Sequence, residues 1–165
     1  MNNQDMPARG GSAFGGKIFI GSDHAGFELK EKLVPFLKEL GYEVEDKGAF
    51  EYNKTDDYPD FIIQVAEEIS KNPNYRGIVL GGSGQGEAMC ANRFKNVRAV
   101  EYYAPSRGET SIIKNSRGHN DSNILSLGAR FLSEDEAKSA VKDWLETPFS
   151  GDERHKRRIE KIDKR

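Results

Sequence analysis

The sequence predicts a three-layer α/β/α domain, with helices on both faces of a five-stranded parallel sheet. Three observations carry that prediction. Short apolar or β-branched runs alternate with helical segments five times, the pattern of parallel strands joined by helical crossovers. The chain has 165 residues, enough for one domain with a full hydrophobic core. Apolar residues make up 36% and charged residues 32%, a balance ordinary for a globular domain.

Residues 1–16, MNNQDMPARGGSAFGG, read as a flexible tail rich in Gly, Asn, Ser and Pro, without the apolar stretch of a signal peptide. The folded domain is expected over 17–165. KIFIGS is a buried strand closed by Gly and Ser. FELKEKLVPFLKELG places Phe27, Leu29, Leu33, Phe36, Leu37 and Leu40 at helical spacing, with Gly41 as the stop and Pro35 as a potential kink. YEVEDKG is the second strand, and 58–70 the second helix. YRGIVL is the third strand, followed by a glycine loop and a helix over 86–94. VRAVEY is the fourth strand. Residues 105–117 read as a polar connection with room for one helix. SNILSLG is the fifth strand. Ser133, with Glu136 three residues on, makes a capping box for EDEAKSAVKDWLE. The segment from Gly151, DERHKRRIEKIDKR, is a charged helix with little apolar face, expected to dock on a second subunit.

Bulk properties exclude several function classes. The net charge of −2 creates no global field for nucleic acid or an anionic membrane. No apolar run approaches the roughly 20 residues that cross a bilayer. Cys90 is the single cysteine, so an internal disulfide is impossible and a reducing cytoplasm is expected.

In open α/β sheets, ligands bind beyond the carboxyl ends of the strands. Asp23-His24 follows the first strand, GGSGQGE (81–87) the third, and HNDSN (119–123) precedes the fifth. The glycines let backbone approach a ligand, and the following helix aims free N–H groups at it. Such a loop suits a phosphate or an oxyanion. It lacks the Gly-Lys-Ser/Thr ending of a Walker A loop and does not follow the first strand, so a nucleotide site is disfavoured.

Glu87 is the informative residue. Its structural reading is a first-turn carboxylate favoured by the helix dipole, typically by 0.3–1 kcal/mol. That reading conflicts with an anion bound at the same loop. A carboxylate beside oxyanion donors suits proton abstraction alpha to a carbonyl. Asp23 has an equally ordinary reading as a helix N-cap, and His119 as a surface residue. Arg154 and Arg158 share one helix face and suit a phosphate, or form a solvated face. No metal-ligand spacing is present, and neither metal nor cofactor is expected.

Five motifs occur in one order: GSDHAGFELK, D-x-YPDF, GGSGQGEAMCANRF-x-x-VRA, HNDSNILSLGAR and RHKRRIEKI. Together they resemble the ribose-5-phosphate isomerase B family, which also holds the galactose-6-phosphate isomerase subunits. The resemblance runs from about Lys17 to the C-terminus. It implies a Rossmann-like fold, a homodimer or homotetramer with active sites shared between subunits, and no metal. It also implies aldose–ketose isomerisation through an enediol, as in the pentose phosphate pathway. By resemblance, Asp23 and His24 contact the open sugar and its phosphate end. Gly82, Ser83, Gly84 and Gly86 belong to the oxyanion loop. His119 opens the furanose ring, and Asn120 contacts substrate. Arg130, Arg154 and Arg158 bind phosphate. Many members carry a cysteine base where this chain has Gly81; a second branch reads GGSGxGE and uses the glutamate, matching Glu87. Two alternatives stay open: a six-carbon substrate such as allose or galactose 6-phosphate, and a non-catalytic sugar-phosphate-binding module.

Overall fold

The computed structural model describes residues 16–105 and 111–164. The tail expected over 1–16 thus lies outside the described residues except for Gly16, as do positions 106–110 of the polar connection. The elements are β1 (Lys17–Ser22), α1 (Phe27–Glu39), β2 (Glu43–Asp46), α2 (Pro59–Lys71), β3 (Arg76–Gly81) and α3 (Gln85–Ala91). They continue with β4 (Ala99–Tyr102), α4 (Ile112–Gly118), β5 (Ile124–Gly128), α5 (Glu134–Glu146) and α6 (Glu153–Asp163). The five strands form one parallel sheet in the order β2-β1-β3-β5-β4.

Alternation along each strand divides the core into two layers. Ile18, Ile20, Ile78, Leu80, Leu125 and Leu127 meet Leu33 and Leu37 of α1, Ile113 of α4 and Val141 and Trp144 of α5. Phe19, Val79 and Ile124 point the other way, onto Ile62, Val65 and Ile69 of α2 and Ala91 of α3. Each fully buried aliphatic side chain contributes about 1.5–3 kcal/mol. Trp144 is fully buried and donates its indole N–H to Ser122 Oγ at 2.9 Å, so its one polar atom is satisfied.

Local chemistry sets the element ends. Pro35 stands on the exposed side of α1, which continues past it to Glu39; Gly41, at φ +87°, then turns the chain. The capping box of Ser133 and Glu136 opens α5 as expected. Several boundaries shift by a few residues from the sequence reading, and asparagines stand at two of them. Asn92 ends α3 at Ala91 rather than 94: its side-chain amide donates to Ala99 O and its oxygen accepts from Ala99 N. Asn123 likewise uses its side chain on Arg98 N and Asn96 O, so β5 starts at Ile124.

After β2 the chain crosses back over β1 to build β3, so strand order reverses direction between β1 and β3. That switch point opens a crevice beyond the strand ends. Among the described residues, no helix is long and apolar enough to cross a membrane.

Candidate active site

The crevice holds a cavity of about 470 Å³ lined by Asp23, His24, Ala25, Tyr58, Gly82, Ser83, Gly86, Glu87, Arg130 and Phe131. Residues from four separate segments therefore meet there: the ends of β1, β3 and β5, and the start of α2.

The glycine loop is shaped by what surrounds it. Gly84 is the N-cap of α3 with φ +80°, a conformation that favours glycine. A Cβ there would stand 3.0 Å from Leu127 C and 3.1 Å from Ser126 Oγ, whose hydroxyl donates to Gly84 O at 2.6 Å. A Cβ on Gly86 would meet the Tyr58 ring at 2.8 Å. The loop is thus clamped between β5 and Tyr58, with its first helical amides lacking intrahelical acceptors.

Glu87 lies in the first turn of α3 and is only 4% exposed, although it lines the cavity. A Cβ built on Gly81 would fall inside the Glu87 carboxyl group. The carboxylate therefore fills the volume that a side chain at position 81 would need, and the two cannot coexist in this geometry. Burial raises the Glu87 pKa above the ordinary carboxylate value, and the negative charge of Asp23 adds to the rise. A buried carboxylate with a raised pKa is a stronger base once it is deprotonated.

Asp23 follows β1, and its Oδ1 accepts from Ala25 N at 2.9 Å and Gly26 N at 3.3 Å, closing a turn ahead of α1, whose N-cap is Gly26. The His24 ring sits beside it, with Nδ1 2.6 Å from Asp56 Oδ1 and 3.9 Å from Asp23 Oδ2. Donor atoms of Asp23, His24 and Asp56 lie within 4.8 Å of one another, a grouping able to approach a cation. Asp23 Oδ1 and Asp56 Oδ1 are already committed to neighbouring N–H groups. Arg130 follows β5, with its guanidinium close over Gly82: a Cβ there would lie 3.2 Å from Nη1.

The remaining sequence candidates form a second cluster. His119 caps the end of α4, is exposed, and stacks on His155 of α6 with ring centroids 4.5 Å apart at 9°. Asn120 is exposed, and its carbonyl accepts from Arg98 Nε at 3.1 Å. Arg98 also grips Asp121 O and pairs with Asp163 at 3.1 Å, tying this turn to α6. Arg154 and Arg158 are exposed on α6. His119, Asn120, Arg154 and Arg158 are not among the residues lining the Glu87 cavity.

Of the residues that sequence reasoning singled out, Asp23, His24, Gly82, Ser83, Gly86, Glu87 and Arg130 line one cavity, whereas Gly84 packs against β5 instead of lining it. Sequence reasoning missed Tyr58 and Asp56. Tyr58 was read only as a helix start, and the D-x-Y-P run at 56–59 was the signal that could have found both.

Comparisons with known proteins bear on the family and the fold. The Ribose/Galactose Isomerase family matches residues 18–162. The ribose-5-phosphate isomerase B of Escherichia coli is 39% identical over 146 residues, covering 88% of this chain and 93% of the relative. That of Mycolicibacterium paratuberculosis is 38% identical over 144 residues, covering 87% of each chain. The structure of ribose-5-phosphate isomerase B from Mycoplasma genitalium with bound ribulose-5-phosphate superposes with a TM-score of 0.84 at 37% identity, covering 90% of this chain and 94% of that one. With a matching profile along nearly the whole folded region, relatives close to 40% identical and the same Rossmann-like architecture, this chain belongs to the ribose/galactose isomerase family.

Proposed function

We propose that this protein is an aldose–ketose isomerase that interconverts ribose 5-phosphate and ribulose 5-phosphate through an enediolate. The observation that carries the reading is the buried Glu87 carboxyl group, set over Gly81 at the end of β3 and facing a cavity shared with Asp23, His24 and Arg130. The Mycoplasma relative, whose structure contains ribulose-5-phosphate, supports the substrate class.

In the aldose direction, Glu87 removes the proton from C2, and the C–H electron pair becomes the C1=C2 double bond. Negative charge develops on O1, where the remaining Gly82–Gly86 loop amides and the Ser83 hydroxyl, whose oxygen already accepts from Gln85 N at 3.3 Å, would stabilise it. The hydroxyl proton passes from O2 to O1, and Glu87 returns its proton to C1, leaving the ketone at C2. General base catalysis supplies roughly 10²–10⁴-fold, so oxyanion stabilisation supplies much of the rest. His24 and Arg130 receive the phosphate dianion from this chain.

His119, Asn120, Arg154 and Arg158 complete the site from a second copy. They sit together on the α4–β5 turn and α6, exposed and away from the cavity of their own chain. His119 then opens the furanose, and the arginines close over the phosphate. The assembly is a homodimer or homotetramer, requires no metal or cofactor, and works in the cytoplasm, a reading that the lone Cys90 supports.

Side-by-side turnover of ribose 5-phosphate, allose 6-phosphate and galactose 6-phosphate tests the substrate. Ribose 5-phosphate should give the highest kcat/KM. A preference for either hexose phosphate would reassign the substrate, and no turnover of any of them would leave a binding module.

A further inference from the structure

We propose that Asp56 is a positioning residue for His24, holding Nδ1 and so fixing the ring orientation that turns Nε2 to the phosphate end of the substrate. This deepens the isomerase reading above and rests on it. Asp56 belongs to the loop between β2 and α2, 32 residues from His24 in sequence. One carboxylate oxygen, Oδ1, accepts the His24 backbone N–H at 3.0 Å and stands 2.6 Å from Nδ1. A single acceptor thus pins both the main chain and the ring. The Asp56 side chain is only 8% exposed, and its Oδ2 is buried with no hydrogen-bond partner among the described residues.

Burying a carboxylate with one oxygen unsatisfied costs stability, so packing alone does not account for this residue. The geometry accounts for it. A carboxylate facing Nδ1 holds a proton there and turns Nε2 to the substrate side, where it donates to the phosphate when the ring carries both protons. Asp23 Oδ2, 3.9 Å from Nδ1, adds negative charge on the same side of the ring. The Tyr52 ring meets the imidazole edge-on at 6.2 Å and restricts its swing. Asp56 is not among the residues lining the Glu87 cavity; it lines a neighbouring cavity of about 360 Å³. It therefore acts through His24 and not on the sugar.

Kinetics of Asp56→Ala, His24→Ala and the double variant test this role. Asp56→Ala should raise KM for ribose 5-phosphate by roughly 10–100-fold, by analogy with losing the partner that orients a metal-bound histidine, with kcat changed far less. The double variant should be no worse than His24→Ala, because both changes remove the same contact. Asp56→Asn keeps an acceptor oxygen and should recover most of the affinity. Multiplying effects in the double variant, an unchanged KM in Asp56→Ala, or an Asn variant no better than Ala would each overturn the proposal. Nitrogen-15 NMR of wild type at alkaline pH reads the tautomer without reference to activity, with His24 assigned by its absence in His24→Ala. Nδ1–H is expected, and Nε2–H would refute the positioning role. If ribose 5-phosphate is not turned over, the isomerase reading fails, and the tautomer still decides the role of Asp56.

Discussion

Glu87 shows how a functional side chain is held against the interest of the fold. Burial raises its pKa in the folded state above its unfolded value. The group's stabilising contribution is therefore complete below the unfolded pKa and lost as pH rises through the folded one. Glu87→Gln removes the cost of burying the charge. At neutral pH the variant should melt higher than wild type, by roughly 2–4 °C for each kcal/mol relieved in a chain of this size. The difference should shrink in acid as the wild-type carboxyl takes up its proton. Thermal melts across pH check this; a lower melting temperature for Glu87→Gln at neutral pH would contradict it. Glu87 was legible in the sequence because a carboxylate after an anion-type glycine loop is chemically out of place. The filling of the position 81 volume by that carboxylate was not legible, since it depends on where α3 folds back. Asp56 was hidden for a related reason: its partner lies 32 residues away, and only tertiary structure closes that distance.

At the scale of elements, β3, the glycine loop and α3 act as one unit that aims Glu87. Gly84 is its hinge, at φ +80° and packed against β5. An L side chain in the left-handed region costs about 1–2 kcal/mol before any clash. Gly84→Ala should therefore lower the melting temperature by several degrees and reduce kcat, because relaxing the strain shifts the start of α3. Unchanged stability and turnover would show that the loop is not held in this way. Strands and capped helices were readable because local patterning and tertiary burial agree, as in KIFIGS and the Ser133–Glu136 capping box. The α4 helix was ambiguous because its polar sequence, IIKNSRG, carries one buried apolar side chain, Ile113; its other buried residues are Ser116 and Arg117. Arg117 is held by Asp121 at 2.7 Å and Ser122 O at 2.6 Å, contacts that no periodicity announces.

For the whole molecule, the candidate residues divide into the Glu87 cavity and the His119–α6 cluster, and the proposed assembly of two copies would reunite them. Complementation tests this. Refolding Glu87→Gln and His119→Asn chains together should restore about a quarter of wild-type activity, since random pairing of two-fold related subunits gives some sites free of both changes. No restoration would show that each site is built within one chain. The most direct measurement is deuterium incorporation into ribose 5-phosphate and ribulose 5-phosphate in D₂O, followed by NMR, for wild type and Glu87→Gln. Wild type should exchange carbon-bound hydrogen at C2 of the aldose and C1 of the ketose while isomerising. Glu87→Gln should lose both exchange and isomerisation while still binding the sugar phosphate. Near-native exchange in Glu87→Gln would contradict a carboxylate base at this site.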